Sequence, residues 1–118
     1  MNEKIKSIIN DLKKELMDLS EFIYHNPELG FEEYKSSQAH IDLLKKHNFD
    51  VEENYLGIET AFRADYKSGK GGPNIAYLAE YDALPEIGHG CGHNILGTTS
   101  TGAGIALSKV IEEVGGNV

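Results

Sequence analysis

The chain has 118 residues, 40% of them hydrophobic and 25% charged, a composition that suits one folded core and excludes a disordered chain. Its 11 basic and 19 acidic residues leave a net charge of −8, which repels phosphate backbones and argues against a nucleic-acid partner. A single cysteine excludes an internal disulfide, and no apolar run approaches the roughly 20 residues that span a bilayer.

The opening residues lack the charged-then-apolar order of a signal peptide, so a cytoplasmic protein without a membrane partner is expected. Ile5, Ile8, Ile9, Leu12, Leu16, Leu19, Phe22 and Ile23 recur in steps of three and four, which predicts an amphipathic helix. Asn26-Pro27 ends it, because the residue before proline is pushed out of the helical region. His25 reads as a helix-ending residue. A second helix is predicted over residues 32–46, with Ala39, Leu43 and Leu44 inward. It stops near His47-Asn48, where Asn suits a left-handed cap. His40 and His47 read as solvated.

Three strand candidates follow. Residues 51–55 form a short one before Gly57. Residues 58–66 alternate loosely through Ile58, Thr60, Phe62, Ala64 and Tyr66, as a half-buried strand does. Residues 68–73 are almost entirely Gly, Pro and Ser, so the strands on either side are expected to pair across this turn. Residues 75–79 are apolar at every position, which fits a strand covered on both faces. A loop over residues 80–94 leads into a helix over residues 95–114. Its first half is rich in Gly and other small residues, and each helical Gly costs about 1 kcal/mol relative to Ala. A close approach to another element is expected to explain them. Gly115-Gly116 caps this helix, and Asn117-Val118 reads as the onset of a further strand, so the chain reads as cut rather than finished.

The chemistry concentrates after the apolar run. Glu80, Tyr81, Asp82, Ala83, Leu84 and Pro85 stand at its C-terminal end, where open α/β sheets bind ligands. His89, Cys91 and His93 follow within a few residues, separated by glycines, and sulfur with imidazole nitrogen suits zinc and neighbouring transition metals. In a looped run alternate side chains face the same way, and Gly90 and Gly92 free the backbone to turn. Cys91 and His93 are therefore candidate ligands for one or two ions, with His89 a third candidate. The blander reading is a small buried Cys and hydrogen-bonded histidines. A structural zinc site wants four protein ligands and no second Cys pair exists, so the remaining ligands are expected from residues outside this chain.

Tyr81-Asp82-Ala83-Leu84-Pro85 followed by Gly88-His89-Gly90-Cys91-Gly92-His93-Asn94 resembles the signature of the two-metal amidohydrolases and peptidases, the family of aminoacylase, carboxypeptidase G and hippurate hydrolase. Asn after the last His is similar to the branch that holds the aminobenzoyl-glutamate hydrolases and the aminoacylase-like dipeptidases. Tyr24-His25-Asn26-Pro27-Glu28-Leu29-Gly30-Phe31-Glu32-Glu33 also matches the family's usual entry.

The resemblance implies an α/β three-layer sandwich, a mixed sheet between helices, of the phosphorylase/hydrolase-like kind. Residues 1–118 would be its N-terminal part, with the rest of the catalytic domain and the lid or dimerisation domain absent. It implies Cys91 and His93 as metal ligands and Asp82 as the carboxylate beside the metals that supports them. Glu80 stands where many relatives carry a metal-binding His, which suggests that the Cys has taken over a ligand role. The implied cofactors are two divalent ions, zinc first, with manganese, cobalt or nickel as alternatives. The implied reaction is hydrolysis of an amide bond in an N-acyl amino acid, aminobenzoyl-glutamate or a small dipeptide. There the metal pair lowers the pKa of water to about 7 and a glutamate serves as general base. That glutamate cannot be matched here, since Glu28, Glu32, Glu33 and Glu86 read as capping or solvated residues. The chain alone is expected to be inactive, and uncovered strand edges are expected to drive homo-oligomers. Two other readings stay open: a metal-binding or regulatory module without chemistry, and a thiol enzyme with Cys91 as nucleophile.

Overall fold

The apolar stripe of the first segment winds into α1 (Asn2–His25), burying Leu12, Leu19 and Ile23 in a computed structural model that describes residues 1–118. Helix α2 (Tyr34–Lys46) follows. Two short strands, β1 (Asp50–Glu53) and β2 (Phe62–Asp65), are joined through a 3-10 turn at Tyr55–Gly57. A long irregular stretch then leads to α3 (His93–Ser108) and the single turn α4 (Ile111–Val114). The sixteen-residue α3 packs chiefly along α1, while α2 rests on α1, α3 and both strands.

Two small cores hold these layers together. Leu12, Leu44, Phe49 and Ile105 form one, and Leu19, Ile23 and Tyr81 the other. Each fully buried aliphatic side chain such as Ile23 or Ile105 contributes about 1.5–3 kcal/mol.

Both helix ends predicted from residue chemistry are found. The α1 helix gives way at Asn26-Pro27, and Asn48 takes a left-handed conformation, φ 67°, just beyond α2. The start of α2 is held from a distance. Glu28 accepts hydrogen bonds from the backbone N–H groups of Lys35 and Ser36 at 3.0 and 2.8 Å, two of the donors a helix leaves unpaired at its first turn.

Two glycines of α3, Gly97 and Gly102, answer to close packing. A Cβ on Gly97 would lie 2.6 Å from the Glu80 carbonyl oxygen, and one on Gly102 would lie 2.8 Å from a methyl of Leu16 on α1. The helix itself differs from the single span expected over residues 95–114. It starts earlier, at His93, and breaks after Ser108 before α4 resumes.

The strands depart further from expectation. β1 pairs antiparallel with β2, in the register Val51 with Ala64 and Glu53 with Phe62. The partners are therefore the first two candidates, not the two flanking the Gly-rich turn. Residues 75–79 form no assigned strand, and Leu78 is 85% exposed. Instead, Asn117 and Val118 lie between them and β2: Val118 exchanges backbone hydrogen bonds with Tyr66, and Ile75 N–H donates to Asn117 C=O at 2.9 Å.

Two histidines are also not where the sequence placed them. His40 is wholly buried, and His47 Nε2 lies 2.7 Å from the Glu15 carboxylate.

Candidate metal centre

Residues 80–83 run as an extended segment beside α3, so Glu80 and Asp82, two positions apart, can face the same neighbour. Ala83 anchors the segment by donating its N–H to Glu28 C=O at 2.7 Å. Tyr81 points the opposite way into the core, where its hydroxyl donates to Thr60 C=O and its ring stacks on Phe62. Burial raises the Tyr81 pKa, which keeps the phenol protonated as a donor.

After Pro85 the chain doubles back, with Leu84 and Gly88 exchanging backbone hydrogen bonds, and passes through a turn containing Cys91. Gly92 then adopts the left-handed region, φ 75°, and His93 is the first residue of α3. His93 and Cys91 are thus separated by a left-handed glycine and do not follow the simple alternation of an extended strand.

The structure brings two carboxylates to His93. Its Nδ1 is 2.8 Å from an Asp82 oxygen and its Nε2 is 3.2 Å from a Glu80 oxygen. A carboxylate on one ring nitrogen fixes the tautomer and orientation of an imidazole, and Asp82 does so at Nδ1 of His93. Glu80, outside the ligand set expected from the sequence, is the addition. Its signal in the sequence is its position, where the family resemblance puts a metal-binding His.

Cys91 is exposed. His89 is not drawn into the pair: neither of its ring nitrogens, both shielded from solvent, has a hydrogen-bond partner. Burial lowers the His89 pKa, the approach of the Ile23 carbonyl offsets part of this, and nearby His93 and Asp82 act in opposite senses.

The donor chemistry suits a divalent ion in part. An imidazole held by Asp82, a carboxylate and a thiol two residues from that imidazole are the right types. No group of three or more His, Cys, Asp or Glu side chains is placed to hold a metal ion within this chain. The same geometry weighs against the thiol-enzyme reading, since the ring nitrogens of His93 are engaged by carboxylates and those of His89 are unpartnered.

Fold and loop together define an α/β segment similar to the amidohydrolases and peptidases, the class its loop motif implied. The chain is 38% identical over 115 residues to a p-aminobenzoyl-glutamate hydrolase polypeptide of Escherichia coli, covering 83% of this chain and 24% of that protein. It is 34% identical to the Xaa-Arg dipeptidase of Mus musculus, over 90% of this chain and 26% of the relative. An N-acetyldiaminopimelate deacetylase of Halalkalibacterium halodurans is 29% identical over 77% of this chain and 28% of its own length. The chain therefore spans about a quarter of the length of these curated relatives. A solved structure from methicillin-resistant Staphylococcus aureus, provisionally assigned as an aminohydrolase, matches the whole chain with a TM-score of 0.86. That match covers 33% of the other chain at 22% identity, and it establishes the α/β fold. No family model matches the sequence. No helix is long and apolar enough to cross a membrane.

Proposed function

We propose that this segment contributes part of the metal centre of an amide-bond hydrolase acting on N-acyl amino acids, aminobenzoyl-glutamate or small dipeptides. The observation that carries the reading is His93, held at Nδ1 by Asp82 and faced at Nε2 by Glu80, in a chain similar to amide-bond hydrolases. Cys91 and His93 would hold the metal, Asp82 would orient His93, and Glu80 would add a carboxylate oxygen. Two divalent ions, zinc or alternatively manganese, cobalt or nickel, would when bound supply Lewis-acid polarisation of the scissile carbonyl and activation of water.

The chain's own residues do the positioning. Asp82 keeps the His93 ring in one orientation, and Gly92 turns the backbone so that α3 begins at that ring. Tyr81, the residue between Glu80 and Asp82, is itself buried in the core. Glu28 is committed to the first turn of α2 and Glu80 faces His93, which supports a general base supplied from elsewhere in the intact enzyme. The remaining ligands and the base are assigned to residues outside these 118, in the intact enzyme. The reading also carries a cytoplasmic, homo-oligomeric protein, which rests on the lone cysteine and the uncovered strand edges.

The test pairs two assays on the purified chain. Equilibrium dialysis against zinc should show retention by the parent and loss in the Cys91→Ser, His93→Ala double variant. Incubation with zinc or manganese and each substrate class should show no turnover above blank. Equal zinc retention by parent and variant would overturn the metal centre, and turnover would overturn its incompleteness.

A further inference from the structure

Of the five histidines, His40 alone is wholly buried, and it belongs to neither the loop nor the candidate ligands. Its ring lies along α3. Nδ1 shares a hydrogen bond with the Thr101 hydroxyl at 2.8 Å, and a Cβ on Gly97, one turn earlier, would lie 3.1 Å from Nε2. His93, Gly97 and Thr101 are spaced four apart, so they share one face of α3. The face that meets Glu80 and Asp82 at its first residue is therefore the face that His40 grips farther along.

The same ring packs on Tyr81, with centroids 5.2 Å apart. Tyr81 stands between Glu80 and Asp82 and is itself fixed, by its hydroxyl on Thr60 C=O and by stacking on Phe62. The contacts close a circuit. It runs from α3 through Thr101 to His40, through Tyr81 to residues 80–82, and through Glu80 and Asp82 back to α3 at His93. Gly97 sits inside the circuit, where a Cβ would press on both the His40 ring and the Glu80 carbonyl oxygen.

Burial alone does not call for a histidine at this position. Nε2 has no partner, and an unpaired buried polar group costs stability. An apolar side chain of similar size would fill the space without that cost. What the imidazole adds is a directional bond to one point on α3. Apolar packing on Tyr81 is non-directional and tolerates small slides along the helix, whereas the bond to Thr101 does not.

We propose that His40, held by Thr101, is a positioning residue of the candidate metal centre. It sets how residues 80–82 lie against α3, and so holds Asp82 and Glu80 at the two ring nitrogens of His93. The metal side of this role rests on the function proposed above; the His93 side does not.

The test removes one hydroxyl. Thr101→Val keeps the shape of the side chain and deletes the bond, and Thr101→Ser restores it. Two-bond proton–nitrogen spectra of the full chain, without metal and at mildly alkaline pH, show which ring nitrogen of His93 carries the proton. In the parent it should be Nδ1, because the Asp82 carboxylate accepts there. In Thr101→Val the proton should spread over both nitrogens as in a free imidazole, and Thr101→Ser should return it to Nδ1. His40→Leu, which cannot make the bond, should behave as Thr101→Val does. A merely structural His40 would lower the urea midpoint of the variants and leave the His93 ring as in the parent, and that result overturns the proposal. A valine effect that serine does not reverse overturns it too. Cobalt(II) titration of the same proteins separates the positioning role from the metal reading. Thr101→Val should bind cobalt about three- to thirtyfold more weakly than the parent, and equal affinity overturns the positioning role. A parent that binds no cobalt, with the ring signals behaving as stated, overturns the metal centre and leaves the positioning of His93 supported.

Discussion

Acidification should destabilise this fold through His40 before most carboxylates are protonated. The residue is completely buried against the rings of Phe62 and Tyr81, at centroid distances of 6.2 and 5.2 Å. Its Nδ1 shares a hydrogen bond with the Thr101 hydroxyl at 2.8 Å, and its Nε2 has no partner. With no carboxylate beside it, burial alone lowers its pKa from 6.5 to about 4. The native state therefore holds a neutral ring in a pH range where the unfolded chain takes up a proton. Stability from this residue is complete above the unfolded value of 6.5, declines as pH falls, and is lost below about 4. At about 1.36 kcal/mol for each pH unit between those two values, the whole effect is about 3 kcal/mol. Urea unfolding of the parent and of His40→Gln, at about pH 7.5 and about pH 4.5, isolates this contribution, since the carboxylates titrate in both proteins. The parent should lose about 2–3 kcal/mol more than the variant between the two conditions. Parallel losses in the two proteins would show that His40 is already charged, or hydrated, in the native state.

Three further outcomes follow from the packing and the site. Gly97→Ala places a methyl 2.6 Å from the Glu80 carbonyl oxygen, and backbone cannot yield as a side chain can. Thermal unfolding should show a loss of about 1–3 kcal/mol, exceeding that of Gly102→Ala, whose new methyl meets only the flexible end of Leu16. Glu28→Ala removes acceptors for two N–H groups of α2 and should cost about 0.5–2 kcal/mol in urea unfolding. An unchanged midpoint would mean that water caps the helix equally well. Asp82→Asn should weaken zinc binding about 10–100-fold by calorimetry while the far-ultraviolet circular dichroism stays that of the parent; unchanged affinity would remove Asp82 from the site.

The helices are the most legible part of the chain because their signals are local. The stripe from Ile5 to Ile23 and the Asn26-Pro27 stop define α1 from sequence. The burial of His40 is written in the same code, although a histidine among Lys and Asp reads first as solvated: Ser37, His40, Ile41 and Leu44 lie three and four apart on the buried face of α2. The strands are less legible because pairing is not local. The pattern of residues 75–79 describes a covered strand, and in the structure that cover is missing on the side facing β2. The break between Ser108 and Ile111 gives no sign in a run whose apolar spacing continues across it.

The site divides along the same line. The residue types and glycine spacing of the loop around Cys91 and His93 point to metal chemistry, and the relatives bear out the family resemblance. The sequence could not show that α3 begins at His93, or that Glu80 and Asp82 meet that ring from two sides. Those contacts depend on how the extended segment lies along α3, with the small side of Gly97 allowing the approach.

The central claim is that the Cys91 sulfur and the His93 imidazole bind one cation. Cobalt(II) titration tests it most directly, because a thiolate ligand announces itself by a sulfur-to-metal charge-transfer absorption. The parent should develop that absorption on saturation, Cys91→Ser should lack it while still binding weakly, and His93→Ala should need far more cobalt to reach it. A parent spectrum indistinguishable from that of Cys91→Ser at every cobalt concentration would contradict the account.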